Sequence, residues 1–262
     1  MFEKYNRRAR GESPGALGAA VALTASLTAS LTAALVGAAW PPACVVCHRA
    51  GSAGLDLCRG CRACLPALVD ADGRLCPHCG ELVAETAGDC AACATRLSPF
   101  ARLVVPWRYA FPLDGLIRQM KYREERVLAR VLGTLLAREA AGPPLPDLLV
   151  AVPSRSVRRE AGFDHAAALA RWCARELAVE DGSSLATRVL DTGALAGLSR
   201  AARQERIRGA FRVDEAVAGR HVAIVDDVLT SGATSTELAR ELYDTGAASV
   251  ELWALARTPA AR

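Results

Sequence analysis

The chain has 262 residues, of which 52% are hydrophobic and 23% charged, so it can bury a core as one large domain or two smaller ones. Its net charge of +4 is too small to indicate nucleic-acid binding by itself. Lys4 and Lys121 are the two lysines, and neither stands in a Gly-x-x-x-x-Gly-Lys-Ser/Thr sequence. A P-loop nucleoside triphosphatase is therefore excluded.

Residues 1–43 form a leader of distinct composition. Gly15 to Trp40 contains no charged residue and follows several basic residues, which resembles a signal peptide or membrane anchor. However, large apolar residues are few, and the leucines at 23, 27, 31 and 35 recur at helical spacing. We interpret the leader as an alanine-rich helix of a cytoplasmic protein, and membrane association through residues 15–40 stays the alternative.

Residues 44–98 contain nine of the ten cysteines, and eight of these form C-x-x-C pairs. Such pairs present two thiolates to one metal ion, so the spacing favours structural zinc in a reducing compartment over four disulfides. The region has few large apolar side chains and needs metal to fold. Eight thiolates suffice for one or two zinc ions. The predicted ligands are Cys44, Cys47, Cys58, Cys61, Cys76, Cys79, Cys90 and Cys93.

Residues 99–262 alternate between strand-like and helix-like runs, which predicts an α/β domain with helices on both faces of a parallel sheet. The predicted strands are 103–105 and 107–110, as one strand or two, 148–152, 185–190, 222–225 and 249–254. The predicted helices are 113–140, as one helix or two, 166–177 and 235–243, and residues 201–208 are predicted to form either a basic helical turn or a mobile loop. Within them, Cys173 is expected to be a core residue.

Two adjacent acids, Asp226 and Asp227, follow the buried strand 222–225, where open α/β sheets place their ligands. A run of small residues then leads into a helix N-terminus, which offers unpaired N–H groups to a phosphate. Carboxylates can accept hydrogen bonds from the hydroxyls of a sugar. Their position beside a phosphate site therefore predicts that the ligand is a phosphorylated ribose. The predicted phosphate-binding residues are Thr230, Ser231, Gly232, Ala233 and Thr234.

The segment 222–234 resembles the phosphoribosyl-pyrophosphate motif of type I phosphoribosyltransferases. From Cys44 to Arg257, the order of motifs resembles the ComF family of competence-associated proteins. Besides the cysteine pairs, the resemblance is carried by Met120-Lys121-Tyr122, Val152-Pro153-Ser154-Arg155, Arg158 to His165, Arg208-Gly209-Ala210-Phe211 and Val225-Asp226-Asp227.

This resemblance implies a type I phosphoribosyltransferase-like sheet domain behind a zinc ribbon. It also implies that Asp226 and Asp227 hold the 2′- and 3′-hydroxyls of ribose, and that residues 230–234 hold the 5′-phosphate. The loop Pro153-Ser154-Arg155 would contact the pyrophosphate of phosphoribosyl pyrophosphate, usually with Mg²⁺ bridging it to the sugar.

The resemblance further implies a link to DNA uptake, with the uptake machinery and single-stranded DNA as candidate partners. Three functions remain open from the sequence. The chain is a phosphoribosyltransferase with an unassigned acceptor, a ribose-phosphate-binding or DNA-uptake scaffold without turnover, or a zinc-ribbon nucleic-acid protein. The complete acid pair and phosphate-binding run argue against the third. His165 follows Asp164 in a loop near the expected pyrophosphate site, and whether it has a functional role stays open; Lys121 receives no assigned role.

Overall fold

A computed structural model describes residues 42–68, the single positions 76, 83, 90 and 93, and residues 98–154, 163–193 and 200–258. The predicted leader helix lies outside these residues, apart from its last two. The chain separates into a first compact unit that ends at Cys58 and a second that begins at Arg59. Among the described residues, no helix is long and apolar enough to cross a membrane.

The first unit, described from residue 42, is a short loop structure built around Cys44. The Cys44 N–H donates to the carbonyl of Arg49 at 2.7 Å, and the Cys44 carbonyl accepts from the N–H of His48 at 2.9 Å. The N–H of Val45 donates to the carbonyl of Asp56, also at 2.9 Å. These bonds fold the first cysteine pair back along the chain in the manner of a metal-binding knuckle.

The second unit alternates helices and strands, as its sequence predicts. In chain order it contains α1 (Arg59–Ala63), β1 (Arg102–Val104), β2 (Trp107–Arg108), α2 (Leu113–Arg123), α3 (Arg126–Ala140), β3 (Leu148–Ala151), α4 (His165–Leu177), β4 (Glu180–Asp181), β5 (Ala186–Arg188), α5 (Arg200–Ile207), β6 (Phe211–Val213), β7 (His221–Leu229), α6 (Ala233–Asp244) and β8 (Ser249–Arg257).

The main sheet has the strand order β1-β8-β7-β3-β4, and β2 also pairs with β8. Every one of these pairs is parallel. β1 and β2 lie along the same edge of β8 and are separated at Val105 and Pro106, because proline has no N–H to donate to the ladder. β5 and β6 form a separate antiparallel pair.

Helices cover the sheet and close its core. Leu238 and Leu242 of α6 lie in one buried cluster with Val222 and Ile224 of β7. The helices α3 and α4 pack closely, since a Cβ atom on Gly133 would come within 2.8 Å of the Cβ of Trp172. The fold class predicted from the sequence, an α/β parallel sheet flanked by helices, is confirmed.

Cys173 is a core residue, as expected. Its side chain is fully buried, and its thiol donates to the carbonyl of Gly133 at 3.2 Å. Burial raises the pKa of the thiol to about 12, so it is not a reactive thiolate at neutral pH.

The region 113–140, predicted as one helix or two, is two helices, because Glu124 has a φ of 55° and this left-handed conformation ends α2. One strand boundary differs from the prediction. β7 continues past the acid pair to Leu229, because β8 pairs with it as far as Arg257.

The chain reverses its direction of winding between β3 and β7. β3 leads through α4 to β4 on one side, whereas β7 leads through α6 to β8 on the other. In open parallel sheets, the crevice at such a switch point, outside the carboxyl ends of the strands, is where ligands bind.

Candidate functional site

The end of β3 lies beside the acid pair of β7 and so brings two predicted site segments together. Ala151 is in register with Val225, and the N–H of Val152 donates to the carbonyl of Val225 at 2.9 Å. Pro153 and Ser154 therefore leave the sheet beside Asp226. Because β3 ends here while β7 and β8 continue, β7 is open on one side at the acid pair.

The two acids have different surroundings, because successive side chains of a strand point to opposite faces of the sheet. Asp227 is 4% exposed, and its Oδ2 atom lies 2.7 Å from the Nζ of Lys121 and 2.9 Å from the Nε2 of His165. Asp226 is half-buried, and its Oδ1 accepts from the N–H of Asp227 at 2.8 Å.

These surroundings shift the two pKa values in opposite directions. Burial, reinforced by the negative charge of Asp227, raises the pKa of Asp226 to about 7. Burial also acts to raise the pKa of Asp227, but the contact with His165 and the positive charge of Lys121 outweigh it. They hold the pKa of Asp227 well below its usual range. At neutral pH, Asp227 is therefore held as a negative charge, whereas the surroundings of Asp226 favour its protonated form more than water would.

His165 is held in place by the cap of α4. The Oδ1 of Asp164 accepts from the N–H groups of Ala166 and Ala167, each at 3.1 Å, which fixes the first turn of the helix. His165 is the first residue of this helix and is 7% exposed. The cap thus directs its imidazole toward Asp227.

The predicted phosphate-binding run lies between β7 and α6. Gly232 is the N-cap of α6 and has a φ of 72°, a left-handed conformation that favours glycine. The Oγ of Ser231 accepts from the N–H of Ala233 at 3.4 Å. The first N–H groups of a helix lack intrahelical partners, so this end of α6 presents donors to an anion.

Two adjoining cavities open at this edge of the sheet. The smaller, about 120 Å³, is lined by Pro153, Ser154, His165, Arg188 and Asp226, among others. In it, the Oγ of Ser154 is buried and has no hydrogen-bond partner among the described residues. Arg155, the third residue of the predicted pyrophosphate loop, lies outside the described part of the chain, as do Arg158 and Arg159.

The larger cavity, about 640 Å³, extends along the phosphate-binding run. Arg188 is shared by both cavities, so they meet at this side chain. The larger cavity therefore combines hydroxyl donors, positive charge and two aromatic rings. It is lined by Tyr109, Lys121, Tyr122, Arg188, Gly193, Arg203, Val228, Thr230, Ser231, Thr234 and Thr258.

The predicted zinc ligands form two clusters, each with its sulfur atoms within 4.8 Å of one another. The first consists of Cys44, Cys47, Cys58 and Cys61, and the second contains Cys76, Cys90 and Cys93. Cys79 lies outside the described residues. Among the described cysteines, the first knuckle therefore lies with the second, and Cys76 lies with the fourth knuckle, an arrangement that the spacing alone left open.

The first cluster is suited to a metal ion rather than to disulfides. The sulfur atoms of Cys47 and Cys58 are 3.7 Å apart, far longer than an S–S bond. Burial works against ionisation of Cys44, but the N–H groups of Cys58, Cys47 and Val46 outweigh it and lower the pKa of this thiol to about 6. A thiolate is the form that binds zinc.

Comparison with known proteins gives close relatives, although no family model matches the chain. It is 38% identical over 196 residues to the DNA utilization protein YhgH of Escherichia coli K12, covering 71% of this chain and 86% of the relative. It is 28% identical over 211 residues to competence protein F of Haemophilus influenzae, covering 77% and 90%. The chain belongs to the ComF family.

Two solved structures show weaker similarity to this ComF-family chain. One is described as the allosteric regulatory enzyme of purine biosynthesis, at 23% identity over 48% of the chain. The other is glutamine phosphoribosylpyrophosphate amidotransferase from B. subtilis with ADP and GMP, at 21% over 47%. Both have a TM-score of 0.34, and the chain spans about a quarter of each.

The ComF-family site contains two residues, Lys121 and His165, whose roles could not be assigned from the sequence. Both contact Asp227, which is more than sixty positions away from each along the chain, so no local spacing could reveal the contact. One signal was present for Lys121. It follows Ile117 by four residues on α2, so it lies on the buried side of that helix.

Proposed function

We propose that this ComF-family chain binds phosphoribosyl pyrophosphate with Mg²⁺ in the two cavities at the carboxyl edge of its sheet. The proposed activity is transfer of the phosphoribosyl group, in a protein linked to DNA uptake. DNA utilization and competence are the roles in the names of its relatives. The uptake machinery and single-stranded DNA are the proposed macromolecular partners, and the cytoplasm is the proposed location.

One observation carries this proposal: the acid pair, the phosphate-binding run and the loop after β3 meet at one switch point of the sheet. Thr230, Ser231 and Thr234 would bind the 5′-phosphate with hydroxyls and the N–H groups that begin α6. Asp226 would accept from the hydroxyls of the ribose. The unpartnered hydroxyl of Ser154 would donate to the pyrophosphate.

The residues present also fit a magnesium complex of this ligand. Mg²⁺ is commonly held through the phosphates of a substrate, and here it would neutralise the leaving pyrophosphate. Arg188 lies where the cavities meet and would add positive charge. A carboxylate at Asp226 would stabilise the positive charge that develops on the ribose ring as the pyrophosphate leaves.

Isothermal titration calorimetry of phosphoribosyl pyrophosphate with Mg²⁺ tests this proposal. The Asp226→Asn variant removes the carboxylate charge while keeping the shape, and we expect a loss of affinity of roughly tenfold or more. Asp244→Asn, which changes an exposed acid at the last residue of α6, is the matched control and should bind like the wild type. Absence of binding by the wild type would contradict the proposal.

A second candidate is a ribose-phosphate-binding scaffold without turnover. It is favoured by the state of Asp227, which is engaged by Lys121 and His165 rather than open to a substrate. Release of pyrophosphate from phosphoribosyl pyrophosphate, measured with a panel of nitrogenous bases, separates the two. Binding without release supports the scaffold, and base-dependent release supports the transferase.

We also propose that each cysteine cluster binds one structural zinc ion and that residues 44–98 form the zinc-binding region ahead of a sheet domain at 99–262. Elemental analysis of the purified chain should give two zinc ions per molecule. Cys44→Ser should remove one and Cys90→Ser the other, whereas Cys173→Ser should keep both. Loss of both ions in either single knuckle variant would contradict independent sites.

A further inference from the structure

Three elements meet at Asp227 through charged side chains. Lys121 comes from the last turn of α2, His165 from the first turn of α4, and Asp227 from β7. Both partners contact the same oxygen, Oδ2, at 2.7 and 2.9 Å. The side chains of Lys121, His165 and Asp227 are 18%, 9% and 6% exposed, respectively, so water screens the charges of the cluster weakly.

The cluster also lies between the two cavities. Lys121 lines the larger cavity, which contains the phosphate-binding run, and His165 lines the smaller, which contains Ser154 and Asp226. Asp227 itself lines neither of these two cavities. Its carboxylate is buried and is engaged through Oδ2 by Lys121 and His165.

We propose that Lys121 and His165 are positioning residues that hold Asp227 as a fixed anion between the two cavities, so that Asp226 is the acid that contacts the sugar. The inference rests on the proposed ribose-phosphate site and deepens it. The resemblance implies equal roles for the two acids, whereas here their roles differ. Asp226 contacts the ligand, and Asp227 holds α2 and α4 against β7.

The physical reason is the cost of a buried unpaired charge. Removing the ammonium group of Lys121 leaves the Asp227 carboxylate with His165 alone, whereas removing both charges together leaves no unpaired ion. The effects of Lys121→Met and Asp227→Asn should therefore be strongly non-additive. A direct contact of Lys121 with the ligand, independent of Asp227, would instead give additive effects.

A double-mutant cycle on the full chain with zinc bound tests the inference, using Lys121→Met, Asp227→Asn and the double variant. Arg118→Met is the matched control, because Arg118 lies on the same helix in an exposed ion pair with Asp114 at 3.6 Å. From urea unfolding without ligand, we expect the Lys121 and Asp227 changes to couple by roughly tenfold or more in the unfolding constant. Arg118→Met should not couple with Asp227→Asn.

Titration with ribose 5-phosphate supplies the functional arm. Lys121→Met should weaken binding by roughly tenfold, and adding Asp227→Asn should restore it to within roughly threefold of the wild type. Asp226→Asn alone should cost more than the double variant. Failure of Asp227→Asn to rescue Lys121→Met, or equal losses for the two acids, would overturn the division of labour.

The unfolding and the binding measurements distinguish failure of the proposed function from failure of this inference. If wild-type protein does not bind ribose 5-phosphate, the proposed function fails, whereas coupling in the urea arm still decides whether Lys121 braces Asp227. If Lys121→Met does not fold, recovery of a folded protein by Asp227→Asn carries the same meaning as coupling. No recovery would contradict the inference.

Discussion

At the scale of single residues, the site depends on a difference between two identical side chains. Asp226 and Asp227 are adjacent on β7, yet Asp227 contacts two positively charged or protonatable groups and Asp226 faces a cavity. The difference arises from strand alternation and from the end of β3 at Ala151, which opens one side of β7. Two aspartates with the same side chain thus acquire different properties from their surroundings alone.

The raised pKa of Asp226 predicts a pH dependence of stability. Between about pH 4 and 7 the folded state binds this proton and the unfolded chain releases it, so stability should fall as the pH rises through this window. Asp227 acts in the opposite sense, and its contribution is lost as the pH falls below its unfolded pKa near 3.8. The other ionisable groups that face the two acids are Lys121 and His165.

Urea unfolding of wild type and Asp226→Asn at several pH values between 5 and 8 measures this effect. The wild type should lose stability relative to the variant as the pH rises, because only the wild type gains a buried negative charge. Parallel stability profiles for the two proteins across this range would contradict a raised pKa at Asp226.

Gly232 offers a second test at this scale. Its φ of 72° is a conformation that strains a residue with a Cβ atom, although the nearest atom to such a Cβ would be 3.6 Å away. We expect Gly232→Ala to lower the free energy of unfolding by about 1 kcal/mol. Gly115→Ala on α2, where a Cβ would meet nothing within 4 Å, should have the opposite sign.

At the scale of elements, helix ends position the chemistry. The side chain of Asp164 caps α4 and so fixes the position of His165, the first residue of that helix. Gly232 is the N-cap of α6 and lies within the phosphate-binding run. Both helices start at the carboxyl edge of the sheet, so their N-terminal dipoles point toward the ligand space. The elements thus supply positive potential where the described loops contribute mainly hydroxyls.

Replacing the α4 cap should therefore affect both stability and binding. We expect Asp164→Ala to lower the free energy of unfolding by about 1 kcal/mol, and Asp164→Ser, which keeps a capping oxygen, to lower it less. Because His165 is the first residue of the helix, ribose 5-phosphate affinity should follow the same order. A variant that loses stability without any change in affinity would separate the cap from the site.

The sequence predicted elements better than it predicted contacts. The strands around 148–152 and 222–225 and the helix before Gly246 follow from apolar runs and helix-ending residues, which are local signals. The additional length of β7 depends on pairing with β8, and the contacts of Lys121 depend on a partner 106 positions away. Such contacts arise only when the chain is folded.

At the scale of the whole molecule, the cysteine region and the sheet are linked by a short stretch of backbone. The N–H of Leu68 donates to the carbonyl of Pro106 at 2.7 Å, and the N–H of Arg108 donates to the carbonyl of Pro66 at 2.8 Å. This extends the edge of the sheet at β2. None of these four residues belongs to the buried hydrophobic cluster of the sheet.

Chelation of zinc should therefore unfold the region Cys44–Cys93 and leave the sheet domain folded, because that region has little apolar surface of its own to bury. Hydrogen exchange read by mass spectrometry distinguishes the two parts. Peptides from 44–93 should lose protection, and peptides from β3, β7 and β8 should keep it. Simultaneous loss in both parts would contradict a separately folded sheet domain.

In the proposed complex, one ligand places its 5′-phosphate in the larger cavity and its pyrophosphate in the smaller. Phosphorus NMR of phosphoribosyl pyrophosphate with Mg²⁺ tests this most directly, because the two groups give separate signals. Wild-type protein should broaden both, Thr234→Val should relieve the effect on the 5′-phosphate, and Ser154→Ala should relieve it on the pyrophosphate. Signals that stay sharp with the wild type, or that respond equally to both variants, would contradict the claim.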